Sequence, residues 1–184
     1  MAIEIEFRGP LTKTGFRKLL GFLKKKGEFV KKTKRKTFVF FTDDKTVDLK
    51  VRTTDGQSEI VVKKGFWGAR RREETVLPIE TRLIGTAQKL LAALGYQEGV
   101  IALRETELFV YQEVEFSLVK CPKNYYFYEA EFVGGQSIKD PEAHVERVLK
   151  SLGLEVWSEK ENYHFLMFCN QKIDKHFNLG RKID

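Results

Sequence analysis

Several separated stretches of this chain alternate apolar and charged residues with period two, and in each the charges keep to one side. In IEIEFRG, residues 3–9, Ile3, Ile5 and Phe7 fall on one face of an extended strand and Glu4, Glu6 and Arg8 on the other, because successive strand side chains point to opposite faces. VDLKVRT carries a cationic counterpart, with Val47, Leu49 and Val51 opposing Asp48, Lys50 and Arg52. Further along, Glu113 and Glu115 oppose Val114, Phe116 and Leu118, and Glu129 and Glu131 oppose Ala130 and Phe132. Any one such strand describes a sheet with one solvated face. The same Glu-x-Glu spacing at Glu105/Glu107 and Glu159/Glu161 shows how readily it arises by chance. Adjacent carboxylates repel, more strongly where the face is enclosed and the dielectric falls. If the strands close into a barrel whose apolar faces are covered outside by helices, the charged faces turn inward. The interior is then polar and hydrated, unlike the filled interior of most small barrels.

The other elements fit that architecture. Thr12 or Thr14 caps a helix whose apolar residues Phe16, Leu19, Leu20 and Leu23 follow helical spacing, with Gly27 as its stop. TFVFFTD, VDLKVRT and SEIVVKKG are short β-rich runs separated by Asp43-Asp44 and Asp55-Gly56 turn signals and read as an antiparallel meander. RRREETVLPI is a further strand, followed by an amphipathic helix over 81–94. Extended segments run over 100–119 and 125–133. Asp140-Pro141-Glu142 supplies a cap, a first-turn proline and an acid at the positive helix end, so a helix starts there and ends at Gly153. NYHFLMFCNQKIDKHF reads as a short final helix. About eight strands with helices between groups of them give an α+β fold, an antiparallel eight-stranded β-barrel with helices packed on the outside, in a single domain over 1–184.

Composition narrows the chemistry. No apolar run reaches the roughly 18 residues of a membrane span, and the opening residues show no basic region followed by an apolar one, so a cytoplasmic chain without a membrane partner is expected. Cys121 and Cys169 lack CxxC spacing and His144, His164 and His176 form no HxxxH pair, which leaves zinc without a ligand set. The formal charge of +7 favours anionic partners. The densest run, KKTKRK at 31–36, reads as a solvated loop, with a nucleic-acid backbone as its competing use. Clustered carboxylates suit Mg²⁺ or Mn²⁺, which prefer oxygen ligands, and Lys and Arg facing them suit phosphoryl groups, Arg as a bidentate donor and Lys as a point charge. An interior with both describes a triphosphate site.

EIEFR, LKVR, the lysine–glycine end of EIVVKKG, and EAE near the last strand together resemble the CYTH, or triphosphate tunnel metalloenzyme, superfamily. The resemblance runs in order from Glu4 to about Glu131. It implies an eight-stranded tunnel, a divalent metal and reactions of triphosphates: inorganic or thiamine triphosphatase, or class IV adenylyl cyclase. By the resemblance Glu4, Glu6, Glu129 and Glu131 are metal-binding acids, and Arg8 stands where the motif has lysine. Arg8, Lys50, Arg52, Lys64, Arg72 and Arg104 are phosphate-binding residues, and Glu4, Glu6, Arg8 and Arg72 are catalytic. Lys63 is the rival of Lys64, and Arg70 and Arg71 are rivals in register of Arg72, which pairs with Glu74. No second basic residue follows Arg104, where Thr106 and Glu107 stand. No acid lies about ten residues before the late pair, so Glu113 or Glu115 is its substitute.

These features lead to a metal-dependent hydrolase of tripolyphosphate, thiamine triphosphate or a nucleoside triphosphate, with an adenylate cyclase as the alternative reaction. The contrasting class is a barrel without turnover that holds nucleotide, polyphosphate or RNA. Phe38, Phe40, Phe41, Phe66 and Trp67 are expected to pack against helices, with stacking on an adenine as the competing role. The chain is expected to act as a monomer or homodimer.

Overall fold

The computed structural model describes residues 2–134 and 138–180, without the side chains of residues 2–4. Its strands are β1 (Ala2–Leu11), β2 (Glu28–Phe40), β3 (Val47–Thr54), β4 (Gln57–Lys64), β5 (Arg71–Ile79), β6 (Glu98–Tyr111), β7 (Val114–Cys121), β8 (Tyr125–Phe132) and β9 (Lys175–Asn178). The helices are α1 (Lys13–Lys26), α2 (Ile84–Ala93), α3 (Pro141–Ser151) and α4 (Glu159–Phe168). The antiparallel sheet runs β2-β3-β4-β5-β1-β8-β7-β6 and closes where β2 pairs with β6, from Glu28 opposite Val110 to Phe40 opposite Gly99. An eight-stranded barrel results, as the alternation predicts. The ninth strand, β9, pairs with residues 98–101 of β6, beyond the end of β7, whose pairing with β6 covers residues 105–111.

The main apolar packing lies outside the barrel. Phe7, Phe109, Phe116, Leu118 and Tyr128, from the outer faces of β1, β6, β7 and β8, pack with Leu19 and Leu23 of α1 and with Val145, Val148 and Leu149 of α3. A second cluster sets Phe40, Leu49 and Val51 against Ala87 and Leu91 of α2. Each fully buried Phe or Leu contributes roughly 1.5–3 kcal/mol, so helix docking on these faces commits the opposite, charged faces to the interior. The helix ends follow the sequence signals. Thr12 caps α1 by accepting from the Gly15 N–H at 3.0 Å, Gly27 donates to the Leu23 carbonyl, and Asp140 caps α3 by accepting from the Ala143 N–H. Asp55 and Gly56, both at positive φ, turn β3 into β4.

Two segments differ from expectation. KKTKRK is not a loop but the middle of β2, a 13-residue strand. Its side chains alternate, so Lys31, Thr33 and Arg35 line the interior while Lys32, Lys34 and Lys36 stand outside, with the Lys36 ammonium 4.9 Å from the Phe38 ring centroid. The terminal stretch is not one helix. After α4 it passes through a π-helical turn at Cys169–Ile173 and then becomes β9, because Phe177 finds Phe38 and Phe40 on the barrel exterior, with centroids at 5.7 and 5.3 Å. Among the described residues no helix is long and apolar enough to cross a membrane.

Candidate active site

A channel of about 340 Å³ runs within the barrel, and seven basic and seven acidic side chains of the described residues line it. Its acidic side is built by register. Glu6 of β1 stands opposite Glu131 of β8, Glu131 stands opposite Glu115 of β7, and Arg8 stands opposite Glu129. Cross-strand neighbours lie roughly 4.5–5.5 Å apart, and like charges placed so repel. Arg8 relieves part of this, its guanidinium reaching Glu6 at 2.7 Å and Glu129 at 2.9 Å. Burial opposes ionisation of Glu6, yet the charges of Arg8, Lys63 and Arg72 and a hydrogen bond with Glu129 outweigh it and hold its pKa at about 2. Glu129 is displaced the other way, by burial and then by the charge of Glu6. Of the two substitutes offered by sequence, Glu115 lines the channel; Glu113 sits at positive φ in the β6–β7 turn. The expectation for the Glu4 side chain lies outside the described residues. Its backbone position pairs with Arg72 and shares the strand face of Glu6 and Arg8.

The basic side comes from β3, β4 and β5. Lys50 reaches the Asp48 carboxylate at 2.6 Å, and Arg72 reaches the same oxygen at 3.0 Å. Arg52 binds Glu59 at 2.5 Å and approaches Glu74 at 3.5 Å. Lys63 lies 3.8 Å from Glu74. Burial, with the neighbouring charges of Arg72 and Lys63, lowers the pKa of Lys50 to about 8 although Asp48 pulls it upward. The choice of Lys64 is corrected here: Lys64 is exposed, while Lys63, 5% exposed, lines the channel. Parity explains this, since Glu59, Val61 and Lys63 share the inner face and Ile60 and Val62 pack outward in the α2 cluster. The register of the arginine run resolves to Arg72 and Glu74. Arg70 instead lies 4.7 Å over the Phe7 ring and near Glu146, and Arg71 pairs with Glu142 of α3.

Arg104 lines the channel but is held by Asp174 in a bidentate contact at 2.7 and 2.9 Å. Burial alone would ease its deprotonation; the hydrogen bonds to Asp174 outweigh this and raise its pKa. The pair fills the wall at residues 102–104 of β6, between the ends of β7 and β9. Sequence reasoning passed over Lys31 and Arg35 in the lysine run, and Asp174, which follows the π-turn. It also passed over α4, whose Asn162, Phe165 and Leu166 line the channel together with Asn170 of the π-turn. Lys31 and Arg35 share the strand face of Thr37, a relation that appears only once the lysine run is placed within β2. Of the aromatic residues considered, Trp67 lines the channel, with its indole N–H donated to the Val47 carbonyl at 3.0 Å. Phe66 stacks on Tyr163 at 5.1 Å, while Phe38 and Phe40 pack on Phe177 and Phe41 on His176.

The carboxylates offer only oxygen donors, the chemistry Mg²⁺ and Mn²⁺ require. Among the described residues no group of three His, Cys, Asp or Glu is already gathered as a formed metal site, and Arg8 now bridges Glu6 and Glu129. The donor set fits a hard cation in kind, since it offers carboxylate oxygens alone.

No family model and no curated protein matches the chain. Solved structures do match. The PH1012 protein of Pyrococcus horikoshii OT3 superposes with a TM-score of 0.70 at 18% identity, covering 84% of this chain and 94% of that one. The PH1819 protein of the same organism gives 0.67 at 19%, over 90% and 98%. A candidate adenylate cyclase of Vibrio parahaemolyticus gives 0.63 at 18%, over 88% and 98%. The chain shares the fold of these proteins, a closed eight-stranded antiparallel barrel, which is the architecture that the resemblance implies. In tunnel terms, the resemblance seen in Glu6, Arg8, Lys50, Arg52, Arg72, Glu129 and Glu131 corresponds to side chains that the barrel gathers in and around one channel.

Proposed function

We propose that this tunnel protein is a divalent-cation-dependent enzyme of triphosphate-bearing compounds, hydrolysing the terminal phosphoanhydride. The observation that carries the reading is the convergence of carboxylates from β1, β7 and β8 with cations from β1 to β4 on one channel. A pure polyanion binder has no use for buried carboxylates, which repel its ligand. Glu6, Glu129 and Glu131, with Glu4 on the same strand face, would hold Mg²⁺ or Mn²⁺. When bound, such a cation supplies charge neutralisation between phosphoryl oxygens. Lys50, Arg52, Lys63 and Arg72 would grip the phosphoryl chain and stabilise the charge that develops on the leaving oxygen. Arg8 would release its carboxylates and turn to phosphate. Water held by a carboxylate would attack the terminal phosphorus, forming one P–O bond as the bridging P–O bond breaks.

Cyclisation is the second reading, supported by the fold shared with the Vibrio protein and by the space beyond the charged residues at α4. There the ribose 3′-hydroxyl attacks the α-phosphorus and pyrophosphate leaves. Incubation with tripolyphosphate, thiamine triphosphate and ATP, with Mg²⁺ or Mn²⁺, separates the cases. Orthophosphate identifies the hydrolase; pyrophosphate with cyclic AMP identifies the cyclase. Glu6→Gln is the control. Absence of product, with binding indifferent to both metal and Glu6→Gln, would refute an enzyme.

A further inference from the structure

The tunnel accounts for only half of the lysine run in β2. Lys31 and Arg35 line the channel, whereas Lys32, Lys34 and Lys36 stand exposed on the outer face. One end of that face is covered by α1, where Phe109 packs with Leu23, and the other by α2, in whose cluster Phe38 and Phe40 lie. Among the described residues the seam of β2 and β6 between these two ends is bare. Register carries the charge sideways. Lys32 stands opposite Glu107 and Lys34 opposite Glu105, and Glu105 stands opposite Lys120 of β7. Glu107 lies 4.0 Å from Lys24 of α1 and 3.8 Å from Lys32, and Glu105 lies 3.9 Å from Lys120. Lys24, Lys32, Lys34, Lys36 and Lys120 therefore face two carboxylates, and five less two leaves a surplus of three positive charges.

Alternate residues of a strand lie roughly 6.6 Å apart, so the ammonium groups at 32, 34 and 36 repel one another along a fixed ladder. Solubility is served as well by mixed signs. A ladder of one sign is relieved by a chain of anions with a matching repeat, and successive phosphates of an extended nucleic-acid strand have a similar spacing. Beside Lys34 and Lys36 the same face opens into a groove of about 730 Å³. Asp55, Gly56 and Ile84 form one bank and Pro122, Lys123 and Asn124 the other, and Leu103, opposite Lys36 in the ladder and 50% exposed, lies between them. Asp55 accepts from the Lys34 backbone N–H at 2.9 Å, and the Lys123 ammonium is held by the Lys172 carbonyl, so the banks add one charge of each sign.

The apolar groove beside the ladder selects among polyanions. A duplex presents its phosphates outward and keeps its bases stacked, so it would leave the groove empty, as would a polyphosphate. A membrane surface requires apolar side chains that project, and Leu103 lies between two banks. A single strand offers phosphates for the lysines and an unstacked base for Leu103 and Pro122. We infer that the outer seam of β2 and β6 binds single-stranded nucleic acid, with Lys32, Lys34 and Lys36 on successive phosphates and the Leu103 groove receiving a base. This surface lies outside the tunnel and does not depend on the triphosphate reading.

Fluorescence anisotropy with labelled 12-mers of oligouridylate and oligothymidylate, both with 5′-hydroxyl ends so that no triphosphate is offered, tests it. Both strands should bind, the tighter of the two telling RNA from DNA, and log affinity should fall against log salt with a slope of about −2 to −3, as for three or four lysines on a single strand. Lys32→Gln/Lys34→Gln/Lys36→Gln, with wild-type circular dichroism, should weaken binding at least about 10-fold and flatten the slope by about 2. A duplex of the same length and a polyphosphate of the same charge should bind at least about 5-fold more weakly than the single strand, and Leu103→Asn should cancel that advantage. Lys50→Ala, a change inside the tunnel, should leave oligonucleotide binding unchanged. Affinity unmoved by the triple variant, a duplex or polyphosphate bound as tightly as the single strand, or tighter binding to vesicles of anionic phospholipid than to either oligonucleotide would overturn the inference. Loss of oligonucleotide binding in Lys50→Ala would place the strand in the tunnel and overturn it as well.

Discussion

At the scale of single residues, the tunnel holds groups whose protonation is set by their neighbours, and three of them give measurable signs. Lys50 titrates near 8 because burial outweighs Asp48, and a bound polyanion favours its charged form. Tripolyphosphate affinity should therefore hold steady below pH 8 and fall above it, by up to tenfold per pH unit, and Lys50→Arg should abolish the fall. Titration calorimetry from pH 6.5 to 9.5 measures both. Glu6 and Glu129 make a contrasting pair. The pKa of Glu6 is depressed from 4.5 to about 2, so its contribution, roughly 3 kcal/mol, is complete above pH 4.5 and is lost as pH falls from there through 2. Glu129 is raised, so its ionised form opposes folding at neutral pH and the opposition fades as pH falls. Glu6→Gln should accordingly destabilise the protein at pH 7 by a few kcal/mol, while Glu129→Gln should leave stability level or raise it by about 1 kcal/mol and weaken the response to Mg²⁺. Urea unfolding with and without Mg²⁺ checks the pair, and a loss for Glu129→Gln as large as that for Glu6→Gln would contradict the assignment.

At the scale of elements, legibility followed how cleanly each strand separates its faces. β1, β3, β7 and β8 alternate apolar and charged residues, and both their existence and their inward faces were readable, as were the Thr12 and Asp140 caps. β2 was not, because its outer lysines 32, 34 and 36 interleave with inner Lys31 and Arg35, and a strand charged on both sides has no apolar period to find. β4 failed more narrowly. Ile60, Val61 and Val62 form a continuous apolar run, so parity is undefined, and proximity to Gly65 favoured the wrong lysine. Asp174 could not be paired with Arg104 by any local rule, since 70 residues separate them. That pair anchors β9 and the π-turn to β6 across the place where β7 ends. Asp174 is almost fully enclosed, so Arg104→Met should strand its charge and cost about 3 kcal/mol, and Asp174→Leu in the same chain should recover most of that. Thermal unfolding of the single and double variants decides whether Arg104 serves the wall in this way or is free to bind phosphate.

At the scale of the whole molecule, the formal charge of +7 and the charge of the tunnel are separate matters. The lining of the described residues carries equal numbers of basic and acidic side chains, and the surplus sits outside, on exposed lysines of α1 and the outer face of β2. A triphosphate entering alone would meet no net positive charge and would have to displace Asp48, Glu59 and Glu74 from their cations. A divalent cation on Glu6, Glu129 and Glu131 would supply the missing charge and free Arg8 from both of its carboxylates. Each ligand thus removes the electrostatic obstacle to the other, and coupling of this kind is reciprocal. Tripolyphosphate should bind at least about 10-fold more tightly with saturating Mg²⁺ than with a chelator, and Mg²⁺ should bind more tightly by the same factor when tripolyphosphate is present. Glu6→Gln should shrink that factor toward one. High salt should weaken non-specific binding at the exposed lysines far more than it weakens the cation-coupled binding inside. Calorimetric titrations in both orders give the two factors independently. If tripolyphosphate bound equally well in chelator and in Mg²⁺, the carboxylates would have no part in recognition, and the channel would have to be a polyanion cradle whose acids only space its cations.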